Sequence, residues 1–457
     1  MPYIPNTDED RKLMLAAIGV KSFEELLAGV PEGARTREPL AVPAALSEPE
    51  LMREIDKLAS ENRRLVCFAG GGLYDHYIPQ VVASLVSRPE FMTAYTPYQP
   101  EVSQGTLQII YEFQTHICRL TGMDVANASM YDGATAAAEA VLTAISHTER
   151  KKVILSETLS PIYHEVIRSY VRGFDGEVVE LPHADGVTDL ARLTDLADDQ
   201  TACFIVSQPN FFGCLEDVER AAELAHSVGA LMIVVADPIS LAVVRAPGEQ
   251  GADMVVGEGQ PLGIPMSYGG PLLGFFAMNK SLIRKLPGRL AARTEDVDGR
   301  TGFMPTLQTR EQHIKRAKAT SNICTNQALC ATAATIYLSL VGKTGLKRIA
   351  ELSLERAHYA AKRIAALDGF ALAFPQSFHR EFAVRCPAPA REIVAGLAER
   401  GVLPGVALGR FKSGWDNLLL VALTEKRNYA EIDRLVHLLG EFVRDRVPHG
   451  EVEEPCA

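Results

Sequence analysis

The chain has 457 residues, of which 47% are apolar and 23% charged, and its formal net charge is −11. That length and composition suit a large buried core shared among two or three structural units. The acidic balance, with no block of Lys or Arg, sets aside nucleic acid and anionic membranes as partners and leaves small molecules and proteins.

The opening Met-Pro-Tyr-Ile-Pro-Asn has neither the basic nor the apolar region of a signal peptide, and no unbroken apolar run is long enough to cross a bilayer, so the expected location is the cytoplasm. Cys67, Cys118, Cys203, Cys214, Cys324, Cys330, Cys386 and Cys456 form no CxxC pair, and core thiols of a reducing compartment are expected. Nothing in the composition suggests a metal site.

In chain order, a helical arm over residues 1–64 comes first. Thr7 with Asp10, and Ser47 with Glu50, have the spacing of helix-capping boxes, the second with Pro49 inside the first turn, and a Pro/Gly/Arg-rich stretch from Val30 to Pro43 links the two helices. The loop from Tyr95 to Gly105 follows, with Pro97 and Pro100 limiting its freedom and Tyr95 and Tyr98 offering flat surfaces with polar tips. It suits a pocket wall, a subunit interface or a plain surface turn, and it precedes a helix bearing Tyr111, Glu112 and His116.

From about Leu65 to Asn279, strand-like runs at Val153–Leu155, Ala202–Val206, Leu231–Val235 and Met254–Val256 alternate with helices such as Ala134–Ser146 and Glu216–Val228. This pattern predicts an α/β unit with a mostly parallel sheet over residues 65–340. At Tyr131–Glu139, small residues open an alanine-rich helix whose free N–H groups suit a phosphate, although tight packing alone would also account for them. The run Leu231–Ala236 ends in Asp237, a carboxylate delivered to the carboxyl edge of a buried strand, where it either partners a pyridinium nitrogen or caps the turn at Pro238.

Such a core resembles a pyridoxal phosphate (PLP) enzyme, but no lysine occurs between Val153 and Asn279. Where a Schiff-base lysine would follow, the chain reads Val255-Val256-Gly257-Glu258-Gly259-Gln260. Leu159-Ser160-Pro161 likewise stands where such enzymes often place a ring-stacking His. The Gly/Pro-rich segment Gly257–Pro271 requires special backbone angles, and Lys318–Asn326 contains polar residues, Ser321 and Asn322 among them, expected to cap a helix from Thr325 to Leu340. A small α+β portion over residues 341–457 ends the chain, with a helix near Leu346–Leu367, strands at Glu381–Arg385 and Asn417–Leu423, and helices at Arg391–Arg400 and Tyr429–Val443.

Taken together, Tyr95–Gly105, Ala126–Ser129 with Ala134–Glu139, Met266–Pro271 and Ala319–Thr325 closely resemble the P-protein of the glycine cleavage system, in order and over nearly the whole length. The resemblance is to subunit 1 of the two-subunit form, and it implies a fold-type-I, aspartate aminotransferase-like chain that has lost its cofactor lysine. It further implies a PLP-bearing subunit 2, an α2β2 heterotetramer, and decarboxylation of glycine with transfer of the aminomethyl group to the lipoyl arm of the H-protein. On this resemblance Tyr95, Thr96 and Tyr98 are expected to reach the partner's site, with Ser321 and Asn322 behind them, while Gly133, Thr135 and Asp237 are remnants of a cofactor site. Two other readings stay open: an independent PLP lyase or aldolase using a lysine from elsewhere, of which Lys280 is the nearest, and a noncatalytic scaffold subunit.

Overall fold

The structure, a computed structural model, describes residues 5–36, 38, 41–323 and 326–444. The chain forms two compact units, residues 1–63 and 64–457. In the first, helices Asp8–Ile18 and Glu48–Ser60 begin at the expected capping boxes: Thr7 N–H donates to Asp10 at 2.7 Å and Ser47 N–H to Glu50 at 2.9 Å. A further short helix, Phe23–Leu26, lies between them.

The second unit is organised by a seven-stranded sheet in the order Val125–Ala126, Gly274–Met278, Met254–Glu258, Leu231–Ala236, Thr201–Gln208, Lys152–Ser156 and Glu177–Leu181. Gly274–Met278 runs antiparallel to both neighbours, and the pairings among the remaining strands are parallel. Alternate residues of each strand point to opposite faces. Here both faces are buried: Ile154, Phe204, Val234 and Val255 belong to one core cluster, and Val153, Ile205, Ile233 and Val256 to the other. Coverage on both sides is why these strands read as unbroken apolar runs. The helix Gly133–Thr148 packs its alanines into the second cluster, and Ala331, Ala334 and Tyr337 of the helix Ala328–Ala365 pack into the first.

The helix Ala328–Ala365 is interrupted at Gly342, whose φ of 59° and ψ of −174° are not helical, so the two helices expected from sequence meet end to end. It is the one helix among the described residues long and apolar enough to cross a membrane, and half of that apolar window is buried in the fold. It begins at Ala328 after Gln327, with no side-chain cap, so Ser321 and Asn322 do not cap it. Cys324 and Thr325 lie outside the described residues. An antiparallel sheet built on Glu381–Arg385 and Leu418–Ala422 carries helices Ala390–Glu399 and Tyr429–Arg444 around its own core, which includes Val384, Ile393, Leu419 and Leu435.

The parallel strands present Gln208, Asp237 and Glu258 at one edge, while the antiparallel return of Gly274–Met278 carries Lys280 to the other. Gly257 marks how tightly that first edge is packed, since a Cβ there would lie 2.2 Å from Ala236 O and 2.5 Å from the Phe275 ring. Gly257→Ala is therefore expected to cost on the order of 3 kcal/mol or more, read as a lowered urea midpoint with an unchanged m-value.

Candidate functional site

Two recesses gather the polar residues. The first, about 520 Å³, opens at the carboxyl edge of the sheet and is lined by Gly71, Tyr74, Ser160, Tyr163, Asn210, Asp237, Glu258, Arg380 and Glu381 among others. Its floor is set by Glu258, the last residue of a buried strand. The carboxylate accepts N–H bonds from Gly133 at 2.9 Å, Gln260 at 2.9 Å and Leu273 at 3.0 Å. Burial pushes its carboxyl above the ordinary range, and the three N–H donors pull the other way. The Gly133 N–H opens the helix Gly133–Thr148, where the helix dipole favours an anion. Another donor of that turn, Thr135 N–H, is taken by Asp132 Oδ1 at 2.8 Å.

Of the two roles the sequence left open for Asp237, the structure shows the turn cap, and Arg380 stands where a pyridinium partner was expected. Oδ1 accepts from Ile239 N–H at 3.0 Å and caps the turn, while Oδ2 lies 2.7 Å from Arg380 Nη2. That approach is an ion pair by distance, although Nη2 makes no hydrogen bond of acceptable angle. Arg380 stacks its guanidinium 3.5 Å over the Tyr74 ring and contacts His76, whose Nδ1 is 2.6 Å from Glu425. Glu381 accepts from Gly71 N–H at 2.7 Å and from the Tyr74 hydroxyl at 2.8 Å. Burial raises its carboxyl to about 7, with the Tyr74 and Gly71 bonds opposing that shift.

This recess does not fit PLP. Its lining contains no lysine. Glu258 fills the helix-terminus position that a phosphate would need and would repel it, and the side-chain space at Gly133 is closed by the Tyr163 hydroxyl, 2.1 Å from an added Cβ. Asp237 is already neutralised by Arg380. Lys280 begins beyond the opposite strand end, roughly 13 Å away along a five-residue strand, so the sequence expectation of a substitute lysine there is not met. Sequence reasoning missed Glu258, Arg380, Tyr74 and Glu381 as site residues. The acid flanked by Gly257 and Gly259 at a strand end, and the charged triplet His379-Arg380-Glu381 before an apolar run, were the available signals.

The second recess, about 480 Å³, draws two of the four sequence motifs together: Pro97 and Tyr98 from one and Ala128 from another line it with Arg289, Glu311, His313 and Asn326, the residue just after the Ala319–Thr325 motif. Asn127 bonds to Pro287 O at 3.1 Å, and Ser129, at φ 135°, is held by Asn326 Nδ2 donating to its hydroxyl at 2.7 Å. The strained serine thus ties the start of the long helix to the sheet. Tyr95 and Tyr98 are 70% and 62% exposed, and the half-buried Thr96 has a hydroxyl without a hydrogen-bond partner. Ser321 is half-buried and accepts from Ile323 N–H at 3.0 Å, and Asn322 is exposed; neither lines the recess. The Met266–Pro271 motif also stands apart, with Ser267 and Tyr268 at φ 41° and 54° and Tyr268 fully exposed.

Residues 1–439 match the family model described as glycine cleavage system P-protein. Proteins called probable glycine dehydrogenase (decarboxylating) subunit 1 are similar throughout. The one from Chloroherpeton thalassium is 52% identical, covering 97% of this chain and 100% of its own, and the one from Moorella thermoacetica is 50% identical, covering 95% and 98%. The crystal structure of an inhibitor-bound glycine decarboxylase (P-protein) of the glycine cleavage system superposes with a TM-score of 0.90 at 42% identity, over 96% of this chain and 100% of that one. Glutamate decarboxylase of Lactobacillus brevis shares the fold at a TM-score of 0.67 and 12% identity, covering 92% of this chain and 97% of its own.

Two outcomes test the first recess. Glu258→Ala leaves three backbone donors without their acceptor, and a loss of about 2–5 kcal/mol in urea-unfolding free energy is expected. Glu381 has a folded-state pKa above its unfolded value, so its contribution is complete below about pH 4.5 and is lost as pH rises through about 7. The chain should therefore lose about 3 kcal/mol of stability from this group between pH 4.5 and 8, and Glu381→Gln should flatten that part of the profile.

Proposed function

Because the chain belongs to the glycine cleavage system P-protein family, we propose that it is the subunit 1 component of a glycine decarboxylase and acts on a site whose cofactor another subunit holds. The observation that carries this reading is Glu258, a buried carboxylate seated on the helix terminus in place of a lysine and a phosphate. It goes with a second recess at whose mouth Tyr98 is exposed, with Tyr95 exposed on the same loop. A chain whose own cofactor cleft is occupied by its side chains and whose surface carries a second, polar-lined recess is suited to completing a neighbour's site.

In this reading subunit 2 holds PLP, which supplies the electron sink for loss of carbon dioxide from glycine. The aminomethyl group passes to the oxidised lipoyl arm of the H-protein, and the working assembly is an α2β2 heterotetramer in the cytoplasm. This chain's part is binding and exclusion. Tyr95, Thr96 and Tyr98 face the partner's cofactor and the glycine carboxylate, and Ser321 and Asn322 lie at the same boundary. Residues 65–340 present that boundary, while Arg380 and Glu381, which belong to the C-terminal portion 341–457, line the disused cleft beside Asp237, and Gly133 and Thr135 are remnants at the start of the helix Gly133–Thr148.

The isolated chain with excess PLP should give no borohydride-trappable adduct and no glycine turnover. Mixing with subunit 2 and lipoylated H-protein should restore decarboxylation, followed as release of labelled carbon dioxide. A trapped adduct on this chain alone would sink the reading in favour of an independent PLP enzyme. Tyr95→Phe with Tyr98→Phe is expected to lower kcat/KM for glycine by at least tenfold in the assembled complex, whereas unchanged activity would leave only a scaffold role.

A further inference from the structure

We propose that Arg289 is a positioning residue that orients the Tyr98 hydroxyl as a hydrogen-bond donor toward an anionic oxygen in the partner's site; this rests on the reading that Tyr98 faces that site. Arg289 is only 9% exposed, and its charge is answered by Glu311, itself 7% exposed, whose Oε2 lies 3.6 Å from Arg289 Nε and 3.5 Å from His313 Nδ1. The guanidinium sits 4.7 Å over the Tyr98 ring, and Nη2 donates to the Tyr98 hydroxyl at 3.1 Å.

The direction of that last bond is fixed by chemistry. A guanidinium has donors and no acceptor, so the phenolic oxygen must accept. The hydroxyl hydrogen is then left for another partner. With Arg289 beneath the ring, that hydrogen is available on the open side of the recess, where Tyr98 is 62% exposed. An exposed tyrosine would otherwise sample several rotamers, and contact with the guanidinium through both ring and hydroxyl restricts it.

The anchor itself is rigid. Ala128 N–H donates to Arg289 O at 2.9 Å, Thr306 N–H to Leu290 O at 2.9 Å, and Ala291 N–H to the Gln114 side chain at 2.9 Å, so the backbone around Arg289 is held from three directions. Because Glu311 neutralises Arg289, the recess offers no net positive field. It selects an anionic oxygen by the placement of a neutral donor. The glycine carboxylate and the cofactor phosphate both supply such an oxygen, and the two are separable by experiment.

The test uses the assembled complex with subunit 2, comparing Tyr98→Phe, Arg289→Gln, Arg289→Lys and the double variant Tyr98→Phe/Arg289→Gln. If the oxygen belongs to glycine, Tyr98→Phe and Arg289→Gln each raise KM for glycine about tenfold with kcat within about twofold, and PLP affinity, read from the visible spectrum after dialysis, is unchanged. If it belongs to the phosphate, PLP affinity falls about tenfold and KM at saturating PLP holds. In either case the double variant is no worse than Tyr98→Phe alone, because Arg289 acts through that hydroxyl. Arg289→Lys keeps a charge beside Glu311 but loses the planar fork, so it should shift the same parameter in the same direction. It carries the test if Arg289→Gln fails to assemble.

Should Tyr98→Phe change a parameter while neither arginine variant does, or should the double variant show additive losses, the positioning role is overturned and the subunit reading stands. Should Tyr98→Phe itself change neither KM nor PLP affinity, the placement of Tyr98 at the partner's site falls, and the positioning role with it.

Discussion

The carboxylate of Glu258 is the constraint on which the arrangement of the large sheet's carboxyl edge depends. It collects N–H groups from the first residue of the helix Gly133–Thr148, from the turn after its own strand, and from the segment entering Gly274–Met278. Three separate pieces of chain are therefore cross-linked by one buried anion. Charge-assisted bonds of this kind are among the stronger ones available to a fold. The favourable dipole at the helix start adds to them. An anion at this point is also what a fold with a phosphate-binding helix terminus requires for its backbone to be satisfied, and Glu258 meets that requirement from within the chain.

The same substitution of an internal for an external partner recurs across the recess. Asp237 has Arg380, Arg380 has the Tyr74 ring and His76, and Glu381 has Tyr74 and the Gly71 backbone. These contacts join the large sheet to the strand Glu381–Arg385 of the smaller one. Buried ion pairs gain little net stability against well-packed apolar residues, but breaking one member leaves an uncompensated charge in a low-dielectric site. The network is therefore better understood as fixing one relative placement of the two sheets than as adding stability. A cofactor cleft that opens and closes around substrate would need this interface to be loose, and here it is tied.

Much of the framework was legible because it rests on local rules. Runs such as Leu231–Val235 and Met254–Val256 read as buried strands since both faces are covered, and the capping boxes at Thr7 and Ser47 depend only on residues three apart. Asp237 was placed correctly at a strand end because an apolar run terminated by an acid has few other uses. Glu258 was visible as an anomaly, a carboxylate where a lysine belongs, but its role was not, because Gly133 lies 125 residues away. Arg289 gave no signal at all: its partners Tyr98 and Glu311 are brought to it by the loop Tyr95–Gly105 and the segment after the hairpin strand Thr301–Pro305, which only the fold juxtaposes. The expectation that Ser321 and Asn322 cap a helix failed for a related reason. Asn326 bonds back to Ala128 and Ser129, so the long helix starts later, anchored by tertiary contacts.

The two recesses differ in the one property that separates a relic from a working surface. In the first, the charged groups at the centre find opposite charges or backbone donors inside the chain, so a ligand entering it would have to displace an existing partner. In the second, the buried charges of Arg289 and Glu311 compensate each other, yet the Tyr98 hydroxyl receives a bond and still has a hydrogen to give, and outside its lining the Thr96 hydroxyl, two residues earlier in the chain, has no hydrogen-bond partner. A polar group left unsatisfied at a buried position costs free energy, and folds retain it where something outside the chain supplies the missing half. On the proposed reading, the internally compensated charges of the first cleft and the outward hydroxyl hydrogen of Tyr98 in the second are two sides of one change, in which the fold is kept while the chemistry is served at its edge.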